Sequence, residues 1–359
     1  VVTLSMALTM IGGSGVAAGD AAPNERPAAK KAEVIGHRGA SGYRPEHTLA
    51  SYELAYRMGV NRVDVDLVPT KDGQLVARHE NEIGGTTDVA EHPEFAGRKK
   101  TKTVDGTKVT GWFTEDFTLA ELKTLRAKER IPDIRPRNTI YDGRYQIPTY
   151  QEVLDLGRRL AEELHRPLGT YPEVKHSTYF RKLGLPIEPR LVQIIKRNGL
   201  NHEDAPVVIQ SFEVGNLKAL HRQLRVPLLQ LTEAAGAPPD FVASGDPRTY
   251  ADLVTPKGLR EIAGYADYLG PEKAQIIPVD DAGYLGRPTS LVPDAHQAGL
   301  KVVPYTFRNE NSFLPKDFQS SDDPAAYGDA FGEYAAYLAT GIDALFSDNA
   351  DTALEATGR

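Results

Sequence analysis

The sequence predicts an α/β protein built as a TIM-type (β/α)8 barrel, with parallel strands closed inside a ring of helices. Three observations carry that expectation. From residue 34 onward, short apolar runs alternate with amphipathic stretches, the pattern of a parallel sheet covered by helices. The polar residues that could do chemistry fall at the ends of those apolar runs, where such a barrel gathers its active site. No GxGxxG turn is present, although a doubly wound open sheet would be expected to carry a glycine-rich phosphate turn of that kind.

Composition narrows the function classes. The chain has 359 residues, 40% hydrophobic and 25% charged; these are ordinary proportions for a globular protein, and one α/β barrel can use the whole length. A net charge of −7, with no basic stripe beyond Lys99-Lys100, argues against nucleic acid as a partner. There is no cysteine, so disulfides, thiolate metal sites and cysteine nucleophiles are excluded.

Residues 1–32 read as the remnant of a signal peptide followed by a tether. VVTLSMALTMIGGSGVAAGDAAPNERPAAKK begins without Met, and about eleven mostly apolar residues lead to small residues ending Val16-Ala17-Ala18, an acceptable signal-peptidase site. The run is too short to span a bilayer, and the Ala, Pro, Asn and Lys after it suit a flexible linker. A secreted or periplasmic protein is expected; the alternative is a disordered tail on a cytoplasmic one.

The barrel domain is expected over 33–359, with strands at 34–36, 62–67, 75–79, 170–175, 207–210, 227–231, 265–269, 301–305 and 343–347. Amphipathic helices are expected at 47–58, 149–164, 188–198, 213–223, 290–298 and 326–339. One strand is surplus to a closed barrel of eight. The run at 75–79 follows a tight Asp72-Gly73 turn, too short for a parallel crossover, so it reads as an accessory continuation of its predecessor. Residues 81–147 break the alternation; they are polar, rich in Gly, Thr and Lys, and hold Trp112, the only tryptophan. So long a loop inside a compact domain is usually functional. It is expected to sit over the catalytic mouth as a cap, with a helix at about 118–130.

The strand ends supply the chemistry. His37 and Arg38 end the first strand, and His79 ends the accessory run. Asp64 and Asp66, two apart on one strand, point the same way. An apolar strand holding two like charges must keep one protonated unless something neutralises them, and a divalent cation is the simplest relief. The alternative is that they cap a turn or pair with Arg62 and Lys71 on a wet surface. Glu173 and Lys175 also share a face, so Glu173 is either a third ligand or half of a buried salt bridge with Lys175. Three carboxylates from two strands suit a hard ion, Ca2+ first, with Mg2+ or Mn2+ as alternatives. His37 and His79 form the expected acid–base pair, since imidazole, with a pKa near ~6.5, can take or give a proton near neutral pH. Gln210, Tyr305 and Phe307 are weaker candidates for lining a substrate pocket. Glu46 starts a helix, where an acid favours the dipole whatever its function.

The set HRG, PEHT, DVDL and VARHE, continued by GTTDVAEHPEF, GWFTEDFTLAELKTLRAKER, IPTYQEVLDL, YPEVKH, QSFE, PYTFRNE and LFSD, resembles the glycerophosphodiester phosphodiesterase family, especially its secreted bacterial and plant branch. The resemblance covers about 34–356. It departs at His47, where the family more often has Asn, and at Asp64, where it more often has Glu. It implies hydrolysis of glycerophosphodiesters to sn-glycerol 3-phosphate and an alcohol, with Asp64, Asp66 and Glu173 on one divalent ion. In that chemistry a glycerol hydroxyl attacks phosphorus and forms a cyclic phosphate that water opens, while the ion and Arg38 stabilise phosphoryl charge. The same resemblance places Glu46 behind the site, orienting His37 or holding metal-bound water; three carboxylates, one divalent ion, Arg38, Lys175 and one phosphodiester sum to zero charge, which makes Arg38 and Lys175 expected substrate contacts. The expected partner is a small glycerophosphodiester, without stable membrane insertion. Three alternatives stay open: an exo-acting hydrolase of glycerol-phosphate cell-wall polymers, a cyclising phospholipase D-like enzyme, and a binding module that kept the barrel without the chemistry. The last is disfavoured because His37, Arg38 and His79 are all present.

Overall fold

A computed structural model of the chain describes residues 31–359. The signal-like segment and nearly all of the expected tether lie outside the described residues. Eleven strands are described: β1 (Glu33–Gly36), β2 (Arg62–Pro69), β3 (Leu75–Ala77), β4 (Lys100–Val104), β5 (Thr107–Gly111), β6 (Gly169–Val174), β7 (Ile209–Ser211), β8 (Leu228–Thr232), β9 (Tyr268–Pro271), β10 (Lys301–Val302) and β11 (Ala344–Ser347). Eight of them pair in parallel in the order β10-β9-β8-β7-β6-β2-β1-β11. Between β10 and β11 the ladder is replaced by single bonds: Asp343 N donates to Val302 O, Phe346 N to Pro304 O and Phe307 N to Phe346 O. The expected barrel is present, and its strands follow chain order around the ring.

The surplus strand behaves as its turn demands. β3 runs antiparallel to β2, with Leu67 opposite Ala77 and Pro69 opposite Leu75, so it lengthens one wall instead of adding a ninth stave. Apolar side chains divide into two layers. Ile35, Tyr171, Val208, Leu229, Leu231, Val303 and Phe346 fill the barrel, and a larger cluster lies between strands and helices. A barrel interior of this kind is a packed core that supports the rim above it.

Two of the longer helices start and stop where local chemistry says they should. Thr48 caps Leu49–Met58 by accepting from Ser51 N, and Gly59 at φ 127° ends it. Thr149 and Glu152 form a capping box at the start of Tyr150–Leu164, satisfying donors that the helix itself cannot.

The insertion at 81–147 differs from expectation in two ways. β4 and β5 form an antiparallel hairpin turning at Asp105-Gly106, whose Asp-Gly signal suits a tight turn. The helix expected at 118–130 spans only Leu119–Leu122. Beyond it, Arg126 N bonds to Asp88 Oδ1, Ala127 N to Tyr145 O and Lys128 N to Thr86 O. Tertiary partners there outbid the helical pattern.

Candidate active site

At the C-terminal rim lies a cavity of about 670 Å3, lined on one side by His37, Arg38, Asp64, Asp66, His79 and Glu173. Strand register assembles the acids: Asp66 sits opposite Glu173 across β2 and β6, and Glu173 sits opposite Gln210 across β6 and β7. His37 and Arg38 follow β1 in a tight turn that needs its glycine. Gly39 has φ 91°, and a Cβ there would come 2.5 Å from Ser51 Oγ and 2.6 Å from its carbonyl carbon.

Each histidine is held by a carboxylate. His37 Nδ1 lies 2.5 Å from Asp348 Oδ1, and its Nε2 faces Thr306 Oγ1 at 3.5 Å. His79 Nδ1 lies 2.5 Å from Glu80 Oε1. Burial pushes the His37 pKa down to about 4, with Asp348 opposing and Arg38 assisting. Burial, then Arg38 and Lys175, lower that of His79 to about 3. Burial works against ionised Asp348, but Arg308, Arg135 and His37 hold its carboxyl well below the usual range. Glu80 is likewise lowered despite burial, by His79 and Arg130. Two ionised carboxylates facing neutral imidazoles require the hydrogen on Nδ1, leaving each Nε2 with its lone pair free.

The acids sit where no wet surface would screen them. Asp64, Asp66 and Glu173 are all buried, and Arg62, offered above as a possible surface partner, pairs with Glu33 instead. Burial, then repulsion from Asp66 and Glu173, raises Asp64 well above its ordinary pKa. Burial raises Glu173 to about 8 although Lys175 pulls the other way. Asp66 stays low against the cost of burial, held by His47 and Lys175. Crowded carboxylates that can ionise together only with help are what a divalent cation relieves. The donor atoms of His47, Asp64 and Asp66 lie within 4.8 Å of one another, and hard oxygens with one imidazole fit such an ion.

Not every expected residue takes its expected place. Glu173 Oε1 is 3.0 Å from Lys175 Nζ, so the salt bridge offered as an alternative is present, and Lys175 is absent from the cavity lining. Gln210 lines the cavity, but its amide donates to Asp64 Oδ1 at 2.6 Å and to Tyr171 O at 3.0 Å. Tyr305 lines the cavity as expected, its hydroxyl donating to Thr232 O. Phe307 does not. It is fully buried, stacked on Tyr334 at 4.9 Å and edge-on to Tyr337. It follows Tyr305 by two residues, but β10 stops at Val302, so strand alternation does not turn the two side chains to one face. Glu46 accepts from Arg38 Nη1 and from Arg130, and the group that orients His37 is Asp348. The insertion lies beside the cavity, not across it: none of 81–147 lines it, and the outer wall comes from residues such as Glu272, Val279, Phe313 and Lys316.

Several site residues were not assigned from sequence. His47, fully buried, bonds through Nδ1 to Tyr52 Oη at 2.7 Å and through Nε2 to Asp66 Oδ2 at 2.9 Å. Its departure from the family's Asn was visible, its contact was not. Asp348 stood at a strand end and within the resembling LFSD segment. Arg130, Thr306 and Arg308 fell within resembling segments but were given no role, and Arg135 had no signal.

The sequence profile of the Glycerophosphoryl diester phosphodiesterase family matches residues 37–352. The chain belongs to this family. It is 36% identical over 327 residues to a glycerophosphodiester phosphodiesterase of Arabidopsis thaliana, covering 88% of this chain and 82% of that protein. It is 28% identical over 347 residues to one of Haemophilus influenzae, covering 90% and 88%. Among solved structures, a family member of Silicibacter pomeroyi superposes with a TM-score of 0.62 at 20% identity, over 91% of this chain and 93% of that one. A phosphodiesterase of Oleispira antarctica, in complex with the product sn-glycerol-3-phosphate, gives 0.58 at 21% identity, over 92% and 98%. At those identities the structures establish the fold. Family membership makes the chain a phosphodiester hydrolase dependent on a divalent metal.

Proposed function

We propose that this chain hydrolyses glycerophosphodiesters to sn-glycerol 3-phosphate and an alcohol, with His37 and His79 moving the protons. The observation that supports this most is the pairing itself. Two imidazoles, each fixed through Nδ1 by a carboxylate, border one cavity together with Asp64, Asp66 and Glu173. One imidazole Nε2 takes the proton of the substrate's glycerol hydroxyl as its oxygen bonds to phosphorus. The departing alkoxide takes a proton from the other histidine, whose proton affinity rises when the phosphate anion arrives. The resulting cyclic phosphate is opened by water with the two roles exchanged. Arg38 Nε, buried at the cavity with no hydrogen-bond partner, is a free donor for a phosphoryl oxygen. Asp64, Asp66 and Glu173 would hold a divalent ion, with His47 beside them, and that ion would stabilise negative charge on the phosphoryl group. Calcium is the ion we expect, and secretion the location. Among the described residues no helix is long and apolar enough to cross a membrane.

The test is release of glycerol 3-phosphate from glycerophosphocholine. Wild type should release it with Ca2+ and stop with chelator. His37→Ala and His79→Ala should each lower turnover by about 10²–10⁴-fold with the fold intact. A wild type that stays silent with every divalent ion would sink the reading.

A further inference from the structure

We propose that Arg130 and Arg135, both contributed by the insertion at 81–147, are positioning residues for the two histidines, each acting through the carboxylate that holds one imidazole. Arg130 reaches Glu80 twice, Nη1 to Oε1 at 2.9 Å and Nη2 to Oε2 at 2.6 Å, and Glu80 Oε1 holds His79. The same guanidinium grips Glu46 through Nε at 2.7 Å and Nη2 at 2.6 Å, and Glu46 holds Arg38. Arg135 Nη2 donates to Asp348 Oδ2 at 2.7 Å, while Asp348 Oδ1 holds His37. Its Nε bonds to Glu310 Oε1 at 2.6 Å and its Nη1 to Ser41 O at 3.0 Å, so the guanidinium is itself locked.

A carboxylate that grips an imidazole through one oxygen can still rotate about its own stem. A planar guanidinium on the second oxygen removes that freedom and keeps the group ionised, which fixes both ring orientation and tautomer. The two clamps share one turn. Arg135 N bonds to Ile131 O, and the Glu129 side chain accepts from Ile131 N and Asn138 Nδ2. A single rigid turn of the insertion therefore braces the two halves of the acid–base pair from outside the cavity. This accounts for a long insertion that contributes nothing to the cavity lining. Arg308 Nε also touches Asp348 Oδ2, at 2.8 Å, so the His37 clamp is doubled and the His79 clamp is single.

The inference rests on the reading that His37 and His79 move protons, and its test separates the two. Full-length Arg130→Ala, Arg135→Ala and, as control on the same exposed turn, Arg137→Ala are compared by thermal melting, steady-state kinetics and imidazole 15N spectra. Arg130→Ala should lower kcat tenfold or more and Arg135→Ala at least threefold, with KM changed less than threefold. Added guanidinium should restore part of each loss, and Arg137→Ala should match wild type. In the spectra, Arg130→Ala should disturb His79 and spare His37, and Arg135→Ala the reverse. Where an alanine variant fails to fold, the lysine variant replaces it. Lysine keeps the charge but offers a point contact, and it should show the same one-sided spectral change. Wild-type kcat with unchanged spectra overturns the inference, as does a loss that disturbs both histidines alike without rescue. A one-sided spectral change in a protein silent toward every diester would keep the clamps and sink the catalytic reading.

Discussion

Asp348 shows how much one side chain carries. It bonds to His37, Arg135 and Arg308 together, so it sets both the direction and the tautomer of one imidazole. Asp348→Asn should leave the cavity shape intact and lower kcat by about 10²-fold or more with little change in KM, because an amide no longer dictates which ring nitrogen carries the hydrogen. His37 also has a signature without substrate. Burial holds its folded pKa at about 4 against ~6.5 unfolded. Its contribution to stability is therefore full above about pH 6.5 and lost as pH falls through about 4, on the order of 3 kcal/mol in all. Glu173, raised by burial to about 8, runs oppositely: its contribution is full below about 4.5 and lost as pH rises through about 8. The measurement is thus the difference between wild type and His37→Gln in denaturant midpoint, and wild type should lose more between pH 6.5 and 4. At this scale the sequence disclosed chemistry better than contacts. His37, Arg38, Asp64, Asp66 and His79 stood out as polar groups ending apolar runs. Asp348 ends such a run too, but its pairing with His37, 311 residues away in the chain, was not visible.

Elements convert those residues into a site through register. β2 beside β6 puts Asp66 opposite Glu173, and alternation alone foretold that Asp64 would face the same way as Asp66. Phe307 was a poor pocket candidate because it lies beyond β10, which ends at Val302, and its ring packs on Tyr334 and Tyr337. The segment at 126–130 failed differently. Its pattern favours a helix, yet bonds to Asp88, Tyr145 and Thr86 hold it open, and this extended course brings Arg130 to Glu46 and Glu80. Periodicity reports which face is apolar and says nothing about a distant acceptor waiting for the backbone. The turn after β1 was legible as HRG but its strictness was not. Gly39→Ala would force a Cβ into Ser51 at a φ that only glycine adopts easily. It should cost about 3 kcal/mol or more in urea unfolding and displace Arg38 along with it. A variant as stable as wild type would mean that the turn relaxes freely.

Taken whole, the described barrel has a rim under electrostatic stress. The barrel interior is apolar, while the rim crowds Asp64, Asp66 and Glu173 out of water. Addition of a divalent ion should therefore raise the unfolding temperature. At a hundredfold excess over Kd the gain is about 2.7 kcal/mol, enough to move the midpoint by several degrees, and Asp64→Asn should abolish most of it. Equal midpoints with ion and with chelator would show that the acids are content without a cation. The barrel as a whole was the most legible feature, since eight apolar runs, six of them followed by an amphipathic helix, survive an error at any one boundary. The role of the insertion was the least, because a brace and a lid have the same composition.

The join between β10 and β11 has a consequence of its own. No continuous ladder joins these two staves; a few single bonds between 302–307 and 343–347 stitch them together. Thr306 and Asp348, the two groups flanking His37, stand on opposite lips of that join. Opening of the ring at this join would part the lips around His37, and the ion pairs that cross it, Arg308 to Asp348 and Arg135 to both Asp348 and Glu310, resist that opening. The seam beside His37 is thus closed by side chains where backbone pairing stops.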